Sequence, residues 1–471
     1  MYDILIVGAG TAGMACAITA AQNGKKVGVL EKAAHIGGTL NWSSGYLSAG
    51  GTAQQKAKGI DDSPQQHYED IIRINENTGD LNLIKLAVEE APKTIDWLES
   101  IGYQFAEDCP IIHPEHIPYN IPRTYYGKPK SPSILEVLQP LWDQQIKKGN
   151  IKCFTSHPMV ELQIEEDHFS KVVVFVKGKE KTFKGKNIVL TTGGYGSSPR
   201  YFNKKHPNTS LMSATYPTAI GDGQEIAEEV GASFDYAKYH HPSVGGLQLF
   251  TGRSNYADAW ASVTTAINRL PREIYINSEA KRFMREDEND PHVREKIIAQ
   301  QTNGKFWVIL DESALMEKSK KEKYKSIVRN WDTKKIKKTA AKEKFIWTAP
   351  TLSELCKKIK LPETQFLETI TNYNKSVSIG KDEDFNRVYL KNEIREAPFY
   401  AIEVHATVTA TFGGIKVNEQ LQILDTSGKP LNGLYAAGEL LGLGATTGQT
   451  YCSGMAITPA LSFGRILGSN L

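Results

Sequence analysis

Residues 3–13 read Asp3-Ile4-Leu5-Ile6-Val7-Gly8-Ala9-Gly10-Thr11-Ala12-Gly13, and this stretch decides the fold. Four apolar residues in a row run into a glycine turn, and residues 14–23 then carry small and apolar side chains suited to a closely packed helix. A second short apolar run, residues 26–30, ends at Glu31. Strand, glycine turn, helix and strand make the βαβ unit of a parallel sheet. In Gly8-x-Gly10-x-x-Gly13 the first glycine permits the tight turn, the second lets backbone approach a pyrophosphate, and the third lets helix and strand pack closely. Free N–H groups and the helix dipole favour an anion at that helix start, and Glu31 is placed to accept hydrogen bonds from a ribose. The spacing predicts a dinucleotide site.

Outward from this unit, 471 residues exceed the ~250–300 at which a single core stops growing, so at least two domains are expected. With 40% hydrophobic and 23% charged residues the composition is that of a globular protein. A net charge of +3 gives no ground for a nucleic-acid partner. Residues 317–344 hold twelve Lys or Arg against four Asp or Glu, but without aromatic interleaving they read as a solvated face. The cysteines (Cys16, Cys109, Cys153, Cys356 and Cys452) are five and scattered, which supports neither a disulfide framework nor a zinc site. That usage fits a reducing compartment, and with no leader pattern and no apolar run near ~18 residues the expectation is a cytoplasmic protein without membrane insertion.

Residues 63–102 have helical periodicity after Ser63-Pro64, whereas residues 172–176 and 187–190 read as strands. Small residues recur at Gly37-Gly38-Thr39, Ser43-Ser44-Gly45 and Gly50-Gly51-Thr52, and a late strand and turn run Gly433-Leu434-Tyr435-Ala436-Ala437-Gly438-Glu439. Distant segments converging on one ligand favour FAD over NAD.

Several motifs then occur in order: Thr191-Thr192-Gly193-Gly194, Gly221-Asp222-Gly223, His241-Pro242-Ser243, NSEAKRFMRE at 277–286, Gly380 to Arg387, Pro398-Phe399-Tyr400-Ala401 and Gly413-Gly414. With the fingerprint they make the chain resemble, over nearly its whole length, the flavoproteins that include soluble fumarate reductases and 3-ketosteroid dehydrogenases. The resemblance implies an α/β fold: a doubly wound, Rossmann-like FAD-binding domain formed by residues 1–240 and 398–471, with an α+β capping domain inserted at 241–397. It implies cofactor contacts at Gly8, Gly10, Ala12, Gly13, Glu31, Lys32, Gly38, Thr39, Ser44, Gly45, Val160, Thr192, Gly193, Gly223, Gly438, Glu439, Met455, Ala456 and Ile457. Members that attach FAD covalently carry a histidine in the segment matching residues 41–52. None stands there, which implies non-covalent binding.

For the substrate, the resemblance to fumarate reductases matches Arg294 to a proton-donating arginine and His241 to a substrate-binding histidine. A second histidine of that group falls on Thr409 or Ala410, and a carboxylate-binding arginine falls on Tyr451. A dicarboxylate then lacks a bidentate partner. The segment Gly448-Gln449-Thr450-Tyr451-Cys452-Ser453-Gly454 is instead similar to that of ketosteroid dehydrogenases, in which a tyrosine and an N–H hold the ketone; Tyr451, Ser453 and Gly454 take those places. His292, Arg294, Tyr125 and Tyr126 are candidates to move the proton, and Arg123 is a candidate carboxylate anchor. The leading expectation is desaturation of a cyclic or steroid-like ketone beside its carbonyl, with hydride transfer to flavin N5. The alternative is reduction or dehydrogenation of an unsaturated or polycarboxylic acid, with Arg294 as proton donor. Either way the partners are a small ketone or organic acid and an external electron acceptor or donor.

Overall fold

The computed structural model describes residues 1–43, 45–114, 116–129, 132–207, 209, 212–248, 257, 259–261, 269–315, 326–342 and 345–471, with backbone alone at 259–260 and 291–292. Ser44, the side chain of His292 and much of the basic stretch 317–344 lie outside the described residues.

The opening apolar run forms strand Tyr2–Val7 in the middle of a parallel array. Strand Val27–Leu30 pairs with it on one side and Lys179–Leu190 on the other; Ile151–Phe154 and Pro430–Ala436 extend the two flanks. The chain builds outward in one direction and then crosses to the other side of the first strand. A doubly wound sheet binds ligands at such a reversal, beyond the carboxyl ends of its strands. Register places Val7 opposite Leu30 and Leu190, and Leu190 opposite Ala436. The turns that follow these strands therefore emerge side by side.

Helix Thr11–Gln22 follows the glycine turn, and the last helix, Ile457–Asn470, lies against it. Their contact is very close: a Cβ on Gly464 would sit 2.3 Å from the Ala12 carbonyl oxygen, and one on Gly468 would sit 2.4 Å from that of Cys16. The helical stretch expected over 63–102 is two helices, Pro64–Ile74 and Leu81–Ser100. Ser63 caps the first, its Oγ accepting from the Gln66 N–H at 3.2 Å. Glu76 and Asn77 have φ of 56° and 59°, which breaks the helix, and Asp80 caps the second.

A second, antiparallel sheet joins Ala259–Trp260, Ser243–Leu247, Phe399–Thr407, Lys305–Asp311 and Ile274–Ile276, with Ile346–Ala349 also paired to Phe399–Thr407. Both faces are covered. Phe306, Val308 and Leu310 pack into one apolar cluster while Trp307 and Ile309 alternate into another, as the two-residue strand period dictates. Strand Phe399–Thr407 pairs here, although the sequence reading assigned everything after 397 to the FAD-binding unit. Its partners lie at 243–247, 305–311 and 346–349, a long-range fact that no local pattern reveals.

Two of the sequence motifs meet in this region as a buried ion network. Arg282 forks to Glu286, with Nε and Nη2 at 2.9 and 2.8 Å, and to Asp382, with Nη1 and Nη2 both at 3.0 Å. Arg387 reaches Glu286 Oε2 at 3.0 Å and the backbone carbonyls of Glu273 and Pro271. Burial opposes the charge on Asp382, but the Arg282 guanidinium outweighs it and holds the carboxyl below its ordinary range. Removing one member leaves buried cations underpaired, at a cost of about 3–5 kcal/mol. Glu286→Gln should therefore lower stability by about 3 kcal/mol in urea denaturation; a loss below about 1 kcal/mol would show that the network contributes little.

Candidate active site

Beyond the carboxyl ends of the central strands lies a cavity of about 700 Å³, within the range of cofactor and ligand sites. One end is lined by Glu31 and Lys32, the middle by Gly8, Gly10, Thr192 and Gly193, and the far end by Tyr451, His113 and His116.

The near end and middle fit a dinucleotide. Gly8 has φ of 104°, and a Cβ there would lie 2.4 Å from the Thr191 carbonyl oxygen. A Cβ on Gly13 would lie 1.9 Å from the Gly8 oxygen, so Gly13 serves packing and does not line the cavity. At Gly10 a Cβ would meet nothing within 4 Å among the described residues beyond its own chain neighbours and helix, which is open space for a ligand. Gly10 also begins helix Thr11–Gln22 without a side-chain cap, and Ala456 begins helix Ile457–Asn470 in the same way. Both starts line the cavity, with Ala12 on one and Met455, Ala456 and Ile457 on the other. Uncapped N–H groups from two helices thus face the space where an anion is wanted.

Glu31 is oriented by the N–H groups of Ala9, at 2.8 Å, and Ala33, at 2.7 Å. Lys32 Nζ bonds Asp222 and the Thr218 carbonyl, each at 2.7 Å. The Thr192 hydroxyl is buried and has no hydrogen-bond partner among the described residues. Gly38, Thr39, Gly438 and Glu439 complete the middle wall. Glu439 Oε1 accepts from the Thr411 N–H at 2.8 Å, and burial raises its carboxyl above the ordinary range. Three further expected contacts stand off the cavity. Gly223 packs beneath Thr192, Gly45 lies between the lining residues Ser43 and Tyr46, and Val160 is 41% exposed while its neighbour Met159 lines the wall.

At the far end Tyr451 Oη lies 3.2 Å from Thr409 Oγ1, which is itself 3.2 Å from Ser243 Oγ. Burial pushes the phenol up to about 12, so it is a proton-bearing donor at neutral pH. Ser453 and Gly454 also line this end. Their turn is fixed by the Tyr119 hydroxyl, which donates to the Ser453 carbonyl at 2.7 Å, and by Thr124 Oγ1, 3.0 Å from Ser453 Oγ. His241 stands behind Tyr451 with ring centroids 5.4 Å apart, and its Nε2 lies 2.6 Å from Glu295 Oε2.

Four other candidates are placed elsewhere. Arg294 is 1% exposed and absent from the cavity wall. Its Nη1 donates to the carbonyls of Glu286 and Glu288, and its Nη2 to Tyr275 Oη. Arg123 is held by Asp62, with Nε and Nη2 at 2.7 and 2.8 Å, and by Asp70. Tyr125 is buried, its hydroxyl 2.6 Å from Thr52 Oγ1. Tyr126 donates to Asp108 at 2.6 Å, and that carboxylate pushes its phenol up to about 12. Sequence reasoning missed His113, His116, Tyr46, Trp42 and Arg329, all of which line the cavity. The dense histidines and tyrosines of residues 113–126 were the available signal.

Residues 3–455 match the family described as FAD binding domain. The chain belongs to that family. It is 29% identical to the probable fumarate reductase Ifc3 of Shewanella frigidimarina, over 99% of this chain and 74% of that protein. The open conformation of a flavocytochrome c3 fumarate reductase superposes with a TM-score of 0.78 at 26% identity, covering 100% of this chain and 78% of that one. The 3-ketosteroid delta1-dehydrogenase of Sterolibacterium denitrificans gives 0.77 at 19%, covering 99% and 98%. The chain is an FAD-dependent oxidoreductase. Among the described residues no helix is long and apolar enough to cross a membrane, and no group of three or more His, Cys, Asp or Glu is arranged to hold a metal ion.

The two fingerprint glycines separate packing from binding. Gly10→Ala should leave the melting temperature of the flavin-free protein within about 2 °C and weaken FAD binding at least about tenfold, whereas Gly13→Ala should lower the melting temperature itself. Thermal scans with a flavin titration check both, and equal effects of the two substitutions would contradict the assignment.

Proposed function

We propose that this oxidoreductase reduces a carbon–carbon double bond conjugated to a carbonyl of a small substrate, with FAD held non-covalently. The observation that carries this reading is the Tyr451 hydroxyl on the cavity wall, aligned by Thr409, while Arg294 is buried off that wall and donates to the Glu286 and Glu288 carbonyls and the Tyr275 hydroxyl. Held by the residues lining the near end and middle of the cavity, reduced FAD would supply a hydride to the β-carbon, and a proton drawn from solvent would complete the α-carbon, so that C=C becomes CH–CH. As that happens, negative charge builds on the carbonyl oxygen. A phenol that keeps its proton is suited to donate a hydrogen bond to that oxygen, and one such donor in a water-poor site is worth roughly 10²–10³ in rate. The probable fumarate reductase among the relatives supports the reductive direction. An external two-electron donor must recharge the flavin.

A second reading runs the same constellation in reverse, desaturating a ketone beside its carbonyl. Tyr451 favours it equally, since the same hydrogen bond stabilises the enolate formed when an α-proton leaves. The proton-donor role expected for Arg294 has no support in its position, and neither does a carboxylate-anchor role for Arg123.

The test is anaerobic. Dithionite-reduced protein should regain its yellow colour when mixed with α,β-unsaturated acids or ketones, and Tyr451→Phe should slow that step about 10²-fold with flavin content unchanged. Bleaching of the oxidised protein by saturated ketones, without reoxidation by any unsaturated compound, would favour the reverse direction. An unchanged rate in Tyr451→Phe would remove the tyrosine from the chemistry.

A further inference from the structure

We infer that the substrate carries an aromatic or heteroaromatic ring conjugated with the reacting double bond, seated against a wall of rings at the far end of the cavity. The inference rests on the reading of the site given above and names its substrate class.

The wall is continuous. Tyr46 and His113 have centroids 4.4 Å apart, His113 and His116 6.0 Å, and His116 and Tyr451 5.3 Å with planes 26° apart. All four line the cavity. The run is supported from behind by Tyr126, 5.9 Å from Tyr46, and by His241, 5.4 Å from Tyr451. Such spacings are those of stacked and edge-on aromatic pairs, which gain affinity beyond that of the area buried. A planar π-system in contact with these faces gains that increment, and a saturated chain of equal size does not.

The charges point the same way. A dicarboxylate needs two cationic clamps, since a buried carboxylate without a partner is costly. The positions that could have supplied them are otherwise committed: Arg294 to Glu286, Glu288 and Tyr275, and Arg123 to Asp62 and Asp70. Among the described residues Arg329 is the guanidinium on the cavity wall. The site therefore suits a substrate with at most one anionic group, its carbonyl at the Tyr451 hydroxyl and its ring toward Tyr46, His113 and His116.

Equilibrium binding to the oxidised holoprotein tests this without turnover. The probes are 3-phenylpropanoate, 3-cyclohexylpropanoate and succinate, read by perturbation of the flavin spectrum and by calorimetry. The phenyl ligand should bind at least about fivefold more tightly than the cyclohexyl ligand, which has the same skeleton but no π-system. His116→Ala and Tyr46→Ala should bring that ratio toward one. Equal affinity for the two rings, or tighter binding of succinate, overturns the inference. Reoxidation of the reduced protein by crotonate and fumarate as fast as by cinnamate overturns it while leaving the proposed function standing. Failure of every unsaturated carbonyl to reoxidise the flavin overturns both.

Discussion

The structure depends on how closely its first and last helices approach. Gly464 and Gly468, one turn apart, face the carbonyls of Ala12 and Cys16 with no room for a side chain between. That contact sets helices from opposite ends of the chain side by side, so that both begin at the same cavity without a side-chain cap. The Leu81–Ser100 helix holds the closing helix from the other side, through Thr94 and Ser462 hydroxyls 2.7 Å apart and Arg465 over the Trp97 ring. Two positive dipole ends and several free N–H groups are thereby aimed at one place. The reacting end inherits its position from the same arrangement, because Tyr451, Ser453 and Gly454 lie just ahead of the closing helix.

A second constraint fixes the turn at 451–454. The ribbon formed by Leu47–Ser48 and Thr124–Tyr125 passes so near Gly454 that a Cβ there would lie 2.2 Å from Leu47 backbone carbon. Ser48 N–H donates to Thr458 Oγ1 at 2.9 Å. Arg123 stabilises this ribbon through Asp62 and Asp70, and the Asn120 N–H adds a bond to Asp70 at 2.8 Å. An arginine that resembled a substrate anchor is thus part of the support on which the reacting tyrosine rests.

What the sequence made legible follows the range of the interactions. The glycine turn, Glu31 and the order of the motifs are local, so the FAD-binding fold and the near end of the cavity were readable. So were the Ser63 cap and the strand at 172–176. The surroundings of Arg294 and Arg123 are not legible in the sequence, because they depend on partners distant along the chain or on backbone carbonyls, neither of which leaves a pattern. The pairing of strand Phe399–Thr407 with 243–247, 305–311 and 346–349 is hidden for the same reason. His113 and His116 sit in a loop without periodicity, and only folding brings them against Tyr46 and Tyr451.

The paired helix starts and Glu31 line one cavity, as a site for a whole flavin dinucleotide requires. Titrating flavin-free protein with FAD and with FMN, followed by flavin fluorescence, tests it most directly. FAD should bind 1:1 and at least about a hundredfold more tightly than FMN, which lacks the adenosine half that would reach Glu31. FMN binding as tightly as FAD would contradict it.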